Sequence, residues 1–269
     1  MRIVTWNINS LNARKDLAAR FLDEYAPDVI GLQELKLETD KVPRDIFASR
    51  GYEVAVFGQK SWNGVLIAAK TPISDVVTGL APADQGEARL IAGTVGGVRV
   101  INVYCPQGQS VDSDRFPFKL GFYDGLCELL ANAHRPDEPL VLMGDLNVAP
   151  TADDIWDPVA FANTPSFHPL EHERWQRLIA WGLIDVVKPR IAPRTYSFWD
   201  YRGGDFRFNH GMRIDHVLAT RPLAERVESA EILREWRKKK DGMTPSDHAP
   251  VAVTLREAMG SPSGLLPGA

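Results

Sequence analysis

Short runs of apolar and β-branched residues recur along the chain, separated by polar residues, glycine and proline, and they predict β-strands. Each run has the length of an ordinary strand and is too short for a typical helix. They occur in both halves of the chain. The predicted strands are Arg2–Trp6, Val29–Leu32, Val65–Ala69, Leu90–Thr94, Val98–Tyr104, Leu140–Met143, Leu183–Val187, Thr195–Trp199, Ile214–Ala219 and Val251–Leu255.

Apolar residues spaced three and four apart predict three helices between these strands. The first begins near Asn12, whose side chain can cap a helix N-terminus, and is stopped by Pro27. The second covers Lys119–Ala133. The third covers Glu171–Trp181 and stops at Gly182, because glycine is the residue type most favoured just after a helix.

Many strands with only a few helices predict an α/β protein in which two sheets pack face to face, with helices outside. No low-complexity linker divides the chain, so we expect one domain over residues 1–256. After Leu255 the sequence is rich in glycine, proline and serine, which predicts a flexible C-terminal tail over residues 257–269.

The composition is typical of a globular protein with a sizeable core. The chain has 269 residues, of which 44% are hydrophobic and 25% charged, and its formal net charge is −4. These values exclude intrinsic disorder, and no apolar run approaches the roughly 20 residues of a membrane span. The first residues enter a strand without a signal peptide. Two cysteines, Cys105 and Cys127, predict neither a disulfide framework nor a zinc site, so we expect a cytoplasmic protein.

The net charge conceals a basic segment. Between Lys188 and Lys240 the chain carries 13 Lys and Arg against 7 Asp and Glu, which leaves a charge of −10 on the remainder. Arginines and aromatic rings alternate there: Arg190, Arg194, Arg202, Arg207 and Arg213 with Tyr196, Phe198, Trp199, Tyr201, Phe206 and Phe208. Cations attract phosphates and flat rings stack on bases, so the segment suggests a nucleic-acid-binding face. The alternative is that the rings belong to the core and the arginines to a solvated rim.

Polar residues lie at the ends or edges of the predicted strands, where functional side chains are commonly presented. They are Asn7, Asn9, Glu34, Tyr104, Asp145, Asn147, Asp215, Asp247 and His248. The side-chain oxygens of Glu34, Asp247 and Asn7 are hard ligands that suit Mg²⁺ or Mn²⁺, and clustered Cys and His ligands for zinc are lacking. Because Mg²⁺ is commonly held by one or two carboxylates and by substrate phosphate, we expect phosphoryl transfer.

Each of these residues also has a structural interpretation. An Asx turn after a buried strand would account for Asp145 and Asn147. A surface ion pair with Lys36 would account for Glu34, and His248 would be a histidine with satisfied hydrogen bonds inside the core. The number of such residues at strand ends favours the functional interpretation.

Longer motifs extend this pattern. They are Ile30-Gly31-Leu32-Gln33-Glu34-Leu35-Lys36, Asn102-Val103-Tyr104-Cys105-Pro106-Gln107-Gly108, Met143-Gly144-Asp145-Leu146-Asn147, Ser197-Phe198-Trp199-Asp200-Tyr201-Arg202, Arg213-Ile214-Asp215-His216 and Pro245-Ser246-Asp247-His248-Ala249-Pro250. With them the chain resembles bacterial exonuclease III and related abasic-site endonucleases, to about Leu255. The Gly-Asp-x-Asn and Ser-Asp-His-x-Pro motifs are shared by the wider endonuclease/exonuclease/phosphatase superfamily. The Leu-Gln-Glu-x-Lys and Trp-Asp-Tyr-Arg motifs point to the exonuclease III branch.

The resemblance implies a four-layer α/β sandwich with two central mixed sheets flanked by helices. It also implies that Glu34, supported by Asn7 and Asp247, holds a divalent metal ion, Mg²⁺ or alternatively Mn²⁺. This cofactor agrees with the chemistry, because an in-line displacement on a phosphodiester needs a metal ion, an activated water and donors for the phosphate oxygens.

The resemblance further implies a set of catalytic roles. Asp145 would align or deprotonate the attacking water, and Asn147 would orient this water and the phosphate. His248, with Asp215 fixing its tautomer, would stabilise the charge that develops on the phosphate. Tyr104 would contact the phosphate or assist the departing oxygen.

The resemblance also implies an apolar pocket for a flipped sugar that lacks its base. The substrate-binding residues implied are Asn9, Gln107, Phe198, Trp199, Arg202 and Met212. The sequence has Phe before Trp in this motif, whereas exonuclease III has the reverse order, and it has leucine at Leu35, where threonine is usual. The order of Phe198 and Trp199 would change the wall of the pocket, and with it the balance of endonuclease and exonuclease activity. The leucine at position 35 is next to Glu34 and would change the metal affinity.

The sequence therefore predicts a Mg²⁺-dependent DNA repair nuclease. Its partners would be duplex DNA with abasic sites or 3′ ends, which it would cut 5′ to the abasic site or trim from the 3′ end, leaving a 3′-hydroxyl. We expect a monomer without membrane contact. One alternative is an enzyme of the same fold acting on RNA or another phosphoester. Another is a nucleic-acid-binding relative without catalysis, although such a protein should have lost some of the catalytic residues.

Overall fold

The computed structural model describes residues 1–256 and consists of twelve strands and six α-helices over that range. The strands are β1 (Arg2–Asn7), β2 (Val29–Gln33), β3 (Glu53–Phe57), β4 (Val65–Ala69), β5 (Ile73–Thr78), β6 (Leu90–Val95), β7 (Val98–Tyr104), β8 (Leu140–Asp145), β9 (Leu183–Asp185), β10 (Asp215–Thr220), β11 (Val227–Ile232) and β12 (Val251–Leu255). The helices are α1 (Lys15–Glu24), α2 (Asp45–Ala48), α3 (Arg115–Ala133), α4 (Pro169–Trp181), α5 (Asp205–Phe208) and α6 (Arg221–Ala224).

The strands form two six-stranded sheets. The first has the order β11-β12-β1-β2-β4-β3, and the second has the order β5-β6-β7-β8-β10-β9. One central pair in each sheet is parallel, β1 with β2 and β7 with β8, and the other pairs are antiparallel. Both sheets are therefore mixed, which confirms the expected fold class.

The two sheets and their helices make four layers. Apolar side chains from both sheets, including Ile3, Val100 and Val217, form the core between the sheets. A second core joins the first sheet to α1, and a third joins the second sheet to α3 and α4. Gly31 allows the sheets to approach, because a Cβ atom there would lie 2.7 Å from the Met143 side chain.

The strand predictions are confirmed in nine of ten cases, with ends shifted by at most two residues. The prediction of a strand at Thr195–Trp199 is wrong: Phe198 makes only isolated bridges, to Met212 and His248. Strands β3, β5 and β11 were not predicted from the sequence. β5 and β11 lie at sheet edges and expose five and three of their six residues, and polar residues interrupt the apolar runs on which the prediction depends.

The helix predictions are confirmed for all three segments, with one error at a cap. Asn12 does not cap α1, because residues 12–14 form a 3₁₀ turn and no side chain caps the helix that begins at Lys15. Helix α4 starts at Pro169 and ends at Trp181, and Gly182, which has a φ of 126°, is the expected stop after it.

The assignment of residues 1–256 to a single domain stays a prediction, and the predicted flexible tail, residues 257–269, lies outside the described residues. Among the helices of residues 1–256, none combines the length and the apolar character that crossing a bilayer requires.

Candidate active site

Three of the predicted site residues lie in one row across the second sheet. Tyr104 on β7 is aligned with Asp145 on the parallel strand β8, and Asp145 is directly opposite Asp215 on the antiparallel strand β10. Residues in register on neighbouring strands, about 4.8 Å apart, present their side chains side by side on one face. The strand register therefore brings together residues that are far apart in the sequence.

The first sheet contributes Asn7 and Glu34 at the end of its parallel pair. Asn7 is the last residue of β1, and Glu34 directly follows β2. The Asn7 Nδ2 atom donates to Glu34 Oε1 at 2.8 Å and to Asp145 Oδ2 at 2.9 Å. The buried amide of Asn7 thus connects the carboxylates of the two sheets.

His248 and Asp215 form a buried pair behind Asp145. The His248 Nδ1 atom lies 2.8 Å from Asp215 Oδ2, and its Nε2 atom lies 3.9 Å from Asp145 Oδ2. Because an ionised carboxylate only accepts hydrogen bonds, Nδ1 carries the proton that faces Asp215. Burial by itself would lower the pKa of His248, but the carboxylates of Asp215 and Asp145 outweigh burial and raise it to about 10. His248 is therefore an imidazolium at neutral pH.

Burial and neighbouring charge also shift the pKa values of other groups. Burial raises the pKa of Asp145 well above its usual range, and the carboxylates of Asp215 and Glu34 add to the effect, although the His248 imidazolium opposes it. Burial, with help from Glu34 and Asp145, raises the pKa of Tyr104, whose phenol therefore stays protonated. The pKa of Glu34 is lowered despite its burial, because Asn7 and nearby cations favour the ionised form.

The carboxylates of Glu34 and Asp145 fit a divalent cation. Glu34, Asp145 and His248 each offer a ligand atom within 4.8 Å of the others. Two carboxylates bridged by an amide, one buried and one partly exposed, are hard oxygen ligands. A cation between them would relieve the repulsion that adds to the effect of burial on the pKa of Asp145. Lys36 Nζ lies 3.1 Å from Glu34 Oε2, so the ion pair considered from the sequence is also present.

Asp247 faces the same cavity but is not a member of this group of three in the described chain. Its Oδ1 atom accepts hydrogen bonds from Asn9 Nδ2 at 2.9 Å and from Ser246 Oγ at 3.2 Å. Asn9 thereby acts on the site through Asp247, and the role of Asp247 as a metal ligand stays a prediction.

Several site residues have an unusual backbone. Glu34, Asn147 and Asn9 have φ values of 54°, 52° and 46°, in a region that residues other than glycine seldom adopt. Gly144, just before Asp145, has a φ of 144°, and a Cβ atom there would lie 1.9 Å from a backbone oxygen of β7. Only glycine fits this position, and it allows β7 and β8 to pair up to the row of Tyr104, Asp145 and Asp215, which is the predicted catalytic row.

Asn147 is held by two hydrogen bonds. Its backbone N–H donates to Asp145 Oδ1 at 3.0 Å, which is the Asx turn considered from the sequence, and its Nδ2 atom donates to the Cys105 carbonyl at 2.9 Å. Asn147 lines the cavity beside Asp145. The turn and the functional position therefore coexist, since the turn places the amide at the cavity wall.

A cavity of about 510 Å³ opens in front of these groups. One end is polar and is lined by Tyr104, Asp145 and His248, and the other end is aromatic. Of the predicted substrate-binding residues, Gln107, Phe198 and Met212 line it. Arg202 instead extends into solvent with 90% of its side chain exposed, paired with Asp200 at 2.7 Å.

The prediction that Trp199 lines this pocket is wrong. Trp199 is fully buried beneath the site, where its Nε1 atom donates to Asn209 Oδ1 at 3.2 Å. The exposed aromatic wall consists of Phe198 with Trp156, Phe161 and His210, and the last three were missed from the sequence. They lie in irregular segments, and no periodicity or recognised motif marks them.

Comparison with known proteins agrees with this geometry. The sequence profile of the endonuclease/exonuclease/phosphatase family matches residues 4–248. Exodeoxyribonuclease III of Haemophilus influenzae is 36% identical, over 93% of this chain and 98% of that protein. The chain belongs to the exonuclease III branch of the endonuclease/exonuclease/phosphatase family.

Solved structures of this family have the same fold. A 3′-5′ exonuclease from Neisseria meningitidis is 37% identical with a TM-score of 0.89, covering 95% of this chain and 99% of that one. An AP endonuclease from Archaeoglobus fulgidus is 34% identical with a TM-score of 0.89, over 95% and 99%. A Neisseria 3′ phosphatase bound to a product DNA hairpin is 37% identical with a TM-score of 0.88, over 96% and 100%.

The basic segment of this exonuclease III relative is only partly available to a ligand. Arg213 is 1% exposed and is bonded to Asp154 and Asp185, both at 2.8 Å, so its proposed place on a binding face is wrong. Other cations remain near the site. Arg14 is partly exposed and donates a hydrogen bond to the Tyr201 hydroxyl oxygen at 2.8 Å, whereas Arg237, which lies over the Tyr201 ring, is buried.

Proposed function

We propose that the protein is a Mg²⁺-dependent nuclease of duplex DNA that acts as an endonuclease at abasic sites and as a 3′-to-5′ exonuclease, leaving 3′-hydroxyl ends. The observation that supports this most directly is the buried group formed by Asn7, Glu34, Asp145, Asp215 and His248 at one end of an open cavity. The named activities of the related exonuclease and AP endonuclease agree with it.

The protonation states give each group a role in hydrolysis. The His248 imidazolium donates to a phosphate oxygen from Nε2 and stabilises the negative charge that grows there. Asp145 aligns the attacking water and accepts its proton. Asn147 orients this water through its amide. Tyr104, a neutral phenol, donates a hydrogen bond to the departing oxygen.

Glu34 and Asp145, with Asn7 in support and Asp247 nearby, are the residues that would hold Mg²⁺, with Mn²⁺ as the alternative. When bound, such an ion neutralises charge on the phosphate and lowers the pKa of coordinated water. The oxygen-rich donor set favours Mg²⁺ or Mn²⁺ over zinc. A single chain supplies all of these groups, so we expect a monomer, which size-exclusion chromatography with light scattering would check.

The substrate preference follows from the shape of the cavity. Phe198, Met212 and Ile214 make an apolar surface beside the catalytic row, which suits a sugar without its base. Extrusion of such a sugar from the duplex costs little, because there is no base to unstack. This surface favours DNA with abasic sites over RNA or a small phosphoester.

The first experiment incubates the purified protein with a duplex that contains one abasic-site analogue and with an intact duplex, each in Mg²⁺ and in EDTA. We expect incision 5′ to the analogue and trimming of 3′ ends in Mg²⁺ only. Binding without cutting in every divalent metal would instead identify a non-catalytic relative. Cleavage of matched RNA in preference to DNA would identify the other alternative.

The substitution Asp145→Asn tests the mechanism. It preserves the size of the side chain and removes the charge and the proton acceptor, so we expect the single-turnover cleavage rate to fall at least 1,000-fold, roughly the upper part of the range for general-base catalysis. Duplex affinity should be retained. Asp137→Asn is the control, because Asp137 lies in an exposed ion pair with Arg135. Near-normal cleavage by the Asp145 variant would contradict the mechanism.

A further inference from the structure

The cavity extends well beyond the surface that an abasic sugar needs. Its volume of about 510 Å³ is within the range of sites for drug-sized ligands and exceeds what a deoxyribose alone would occupy. Phe198, Met212 and Ile214 are close to the catalytic row and account for the sugar. The outer part, around Trp156 and His210, has no role in the mechanism described above.

Backbone bridges define the distance from the catalytic row to this outer part. Phe198 is paired with His248, Met212 is paired with Phe198, and Ile155 is paired with Met212, all in antiparallel fashion. Three successive pairings therefore link His248 to the Ile155–Trp156 segment. Adjacent paired backbones are about 4.8 Å apart, so the backbones of His248 and Ile155 are about 14 Å apart. A sugar that contacts Phe198 lies one pairing from His248 and two pairings from the Ile155–Trp156 segment. A nucleotide that retains its base extends further.

The chemistry of the outer wall suits a base better than a phosphate. The rings of Trp156 and His210 are stacked, with centroids 4.0 Å apart and planes at 18°, and both residues line the cavity. Asp205 also lines this part, with a carboxylate oxygen 3.5 Å from His210 Nδ1. A carboxylate repels phosphate but accepts hydrogen bonds from the amino groups of bases.

We propose that Trp156, supported by His210, forms a stacking subsite for the base of a nucleotide whose phosphodiester is being cut. This inference rests on the proposed nuclease function and assigns a substrate class within it: 3′-terminal nucleotides that still carry their bases. Stacking between a base and an aromatic side chain is strong and tolerates every base, so this subsite promotes 3′ trimming without sequence preference. Phe198 and Met212 continue to serve the sugar.

The test compares two recessed duplexes that differ only at the 3′ terminus, where one has an ordinary nucleotide and the other has an abasic analogue. The readout is the ratio of kcat/KM for removal of the two termini in Mg²⁺. We expect Trp156→Ala to lower this ratio about 10-fold or more, by loss of stacking. Trp156→Phe, which keeps an aromatic face, should hold the ratio within about 3-fold of the parent.

Two further variants make the result decisive. Trp156→Leu fills the space without an aromatic face and should behave as Trp156→Ala does, which covers the case that the alanine variant fails to fold. Trp62→Ala removes a tryptophan that is 68% exposed and does not line the cavity, so it should leave the ratio unchanged.

The inference and the proposed function fail in different ways. If the parent protein removes neither terminus and does not incise an internal abasic site, the nuclease function is wrong. If it removes the abasic terminus and the leucine or alanine variant keeps the parental ratio, the stacking subsite is wrong and the nuclease function stands. An equal loss in Trp62→Ala would also overturn the subsite.

Discussion

At the scale of single residues, Arg213 and the Val148 carbonyl determine where His216 carries its proton. The Arg213 guanidinium lies 3.0 Å from His216 Nδ1, and His216 Nε2 lies 2.8 Å from the Val148 carbonyl oxygen. Arginine only donates, so Nδ1 must accept, and the proton is on Nε2, facing the carbonyl. Burial, assisted by the charge of Arg213, lowers the pKa of His216 to about 4. His216 is therefore neutral in the folded protein.

This state predicts how stability depends on pH. Below about pH 6.5 the unfolded chain binds a proton at His216, whereas the folded protein does not until the pH approaches 4. The free energy of unfolding should therefore decrease as the pH falls through this window, by about 2 kcal/mol between pH 7.5 and pH 5 from this group. Urea denaturation at several pH values measures the decrease. His216→Gln should reduce the slope, and an unchanged slope in that variant would contradict the assignment.

Single residues also differ in whether their place in the site could be predicted from the sequence. Asp145, Asp215 and His248 were found because each ends or precedes an apolar run and belongs to a motif. Trp156 and His210 were missed because they reach the cavity from irregular loops, through tertiary contacts that leave no local pattern. Trp199 was misplaced for a related reason. The sequence shows that an aromatic residue is present but not which of two neighbouring rings faces the cavity.

At the scale of elements, a buried ion pair joins α3 and α4 beneath the site. Lys119 on α3 and Glu171 in the first turn of α4 are fully buried and pair with each other. Lys119 Nζ also donates to the carbonyl oxygens of Asn147 at 2.7 Å and Gln107 at 3.2 Å. Both helices are thus tied to two loops that line the cavity.

Loss of Lys119 should lower the free energy of unfolding. Lys119→Met leaves the Glu171 carboxylate buried without its cation, which typically costs about 3–5 kcal/mol. We expect a decrease of that order in the free energy of unfolding by chemical denaturation. Asp137→Asn, in the exposed pair with Arg135, is the matched control and should show no change. Equal stability of the Lys119 variant and the parent would mean that the pair contributes nothing to stability.

Buried strands could be predicted from the sequence, whereas exposed edge strands could not. Central strands such as β4 and β7, buried on most positions, were located to the residue from their apolar runs. The edge strands β5 and β11 are only partly buried and interrupt their apolar residues with polar and charged ones, so neither has the continuous apolar run of a central strand. The start of α1 was misassigned because asparagine is a residue type that often caps helices. In the structure Asn12 instead begins a 3₁₀ turn that precedes the helix.

At the scale of the whole molecule, charge is separated along the fold in a way that the net value of −4 hides. Lys239 is exposed beside Tyr201, and Tyr201 is bonded to Arg14 close to the site, whereas Arg237, which also contacts Tyr201, is buried. Arg221, in contrast, follows the end of β10 opposite to Asp215, so it lies at the far end of the second sheet. The cations near Tyr201 are thus placed to meet the phosphates of a duplex held at the site.

Duplex binding should therefore weaken steeply with salt even though the protein is acidic overall, because each phosphate contact releases counterions. We expect Lys239→Gln in the Asp145→Asn background to reduce the slope of log K against log salt by about 0.9, with a similar loss for every sequence. Fluorescence anisotropy over a series of salt concentrations measures this slope. Arg221→Gln removes the same charge at the far end of the sheet and should leave the slope unchanged. If both variants shift it equally, net charge rather than the position of the cations governs binding, and the assignment of the binding face is wrong.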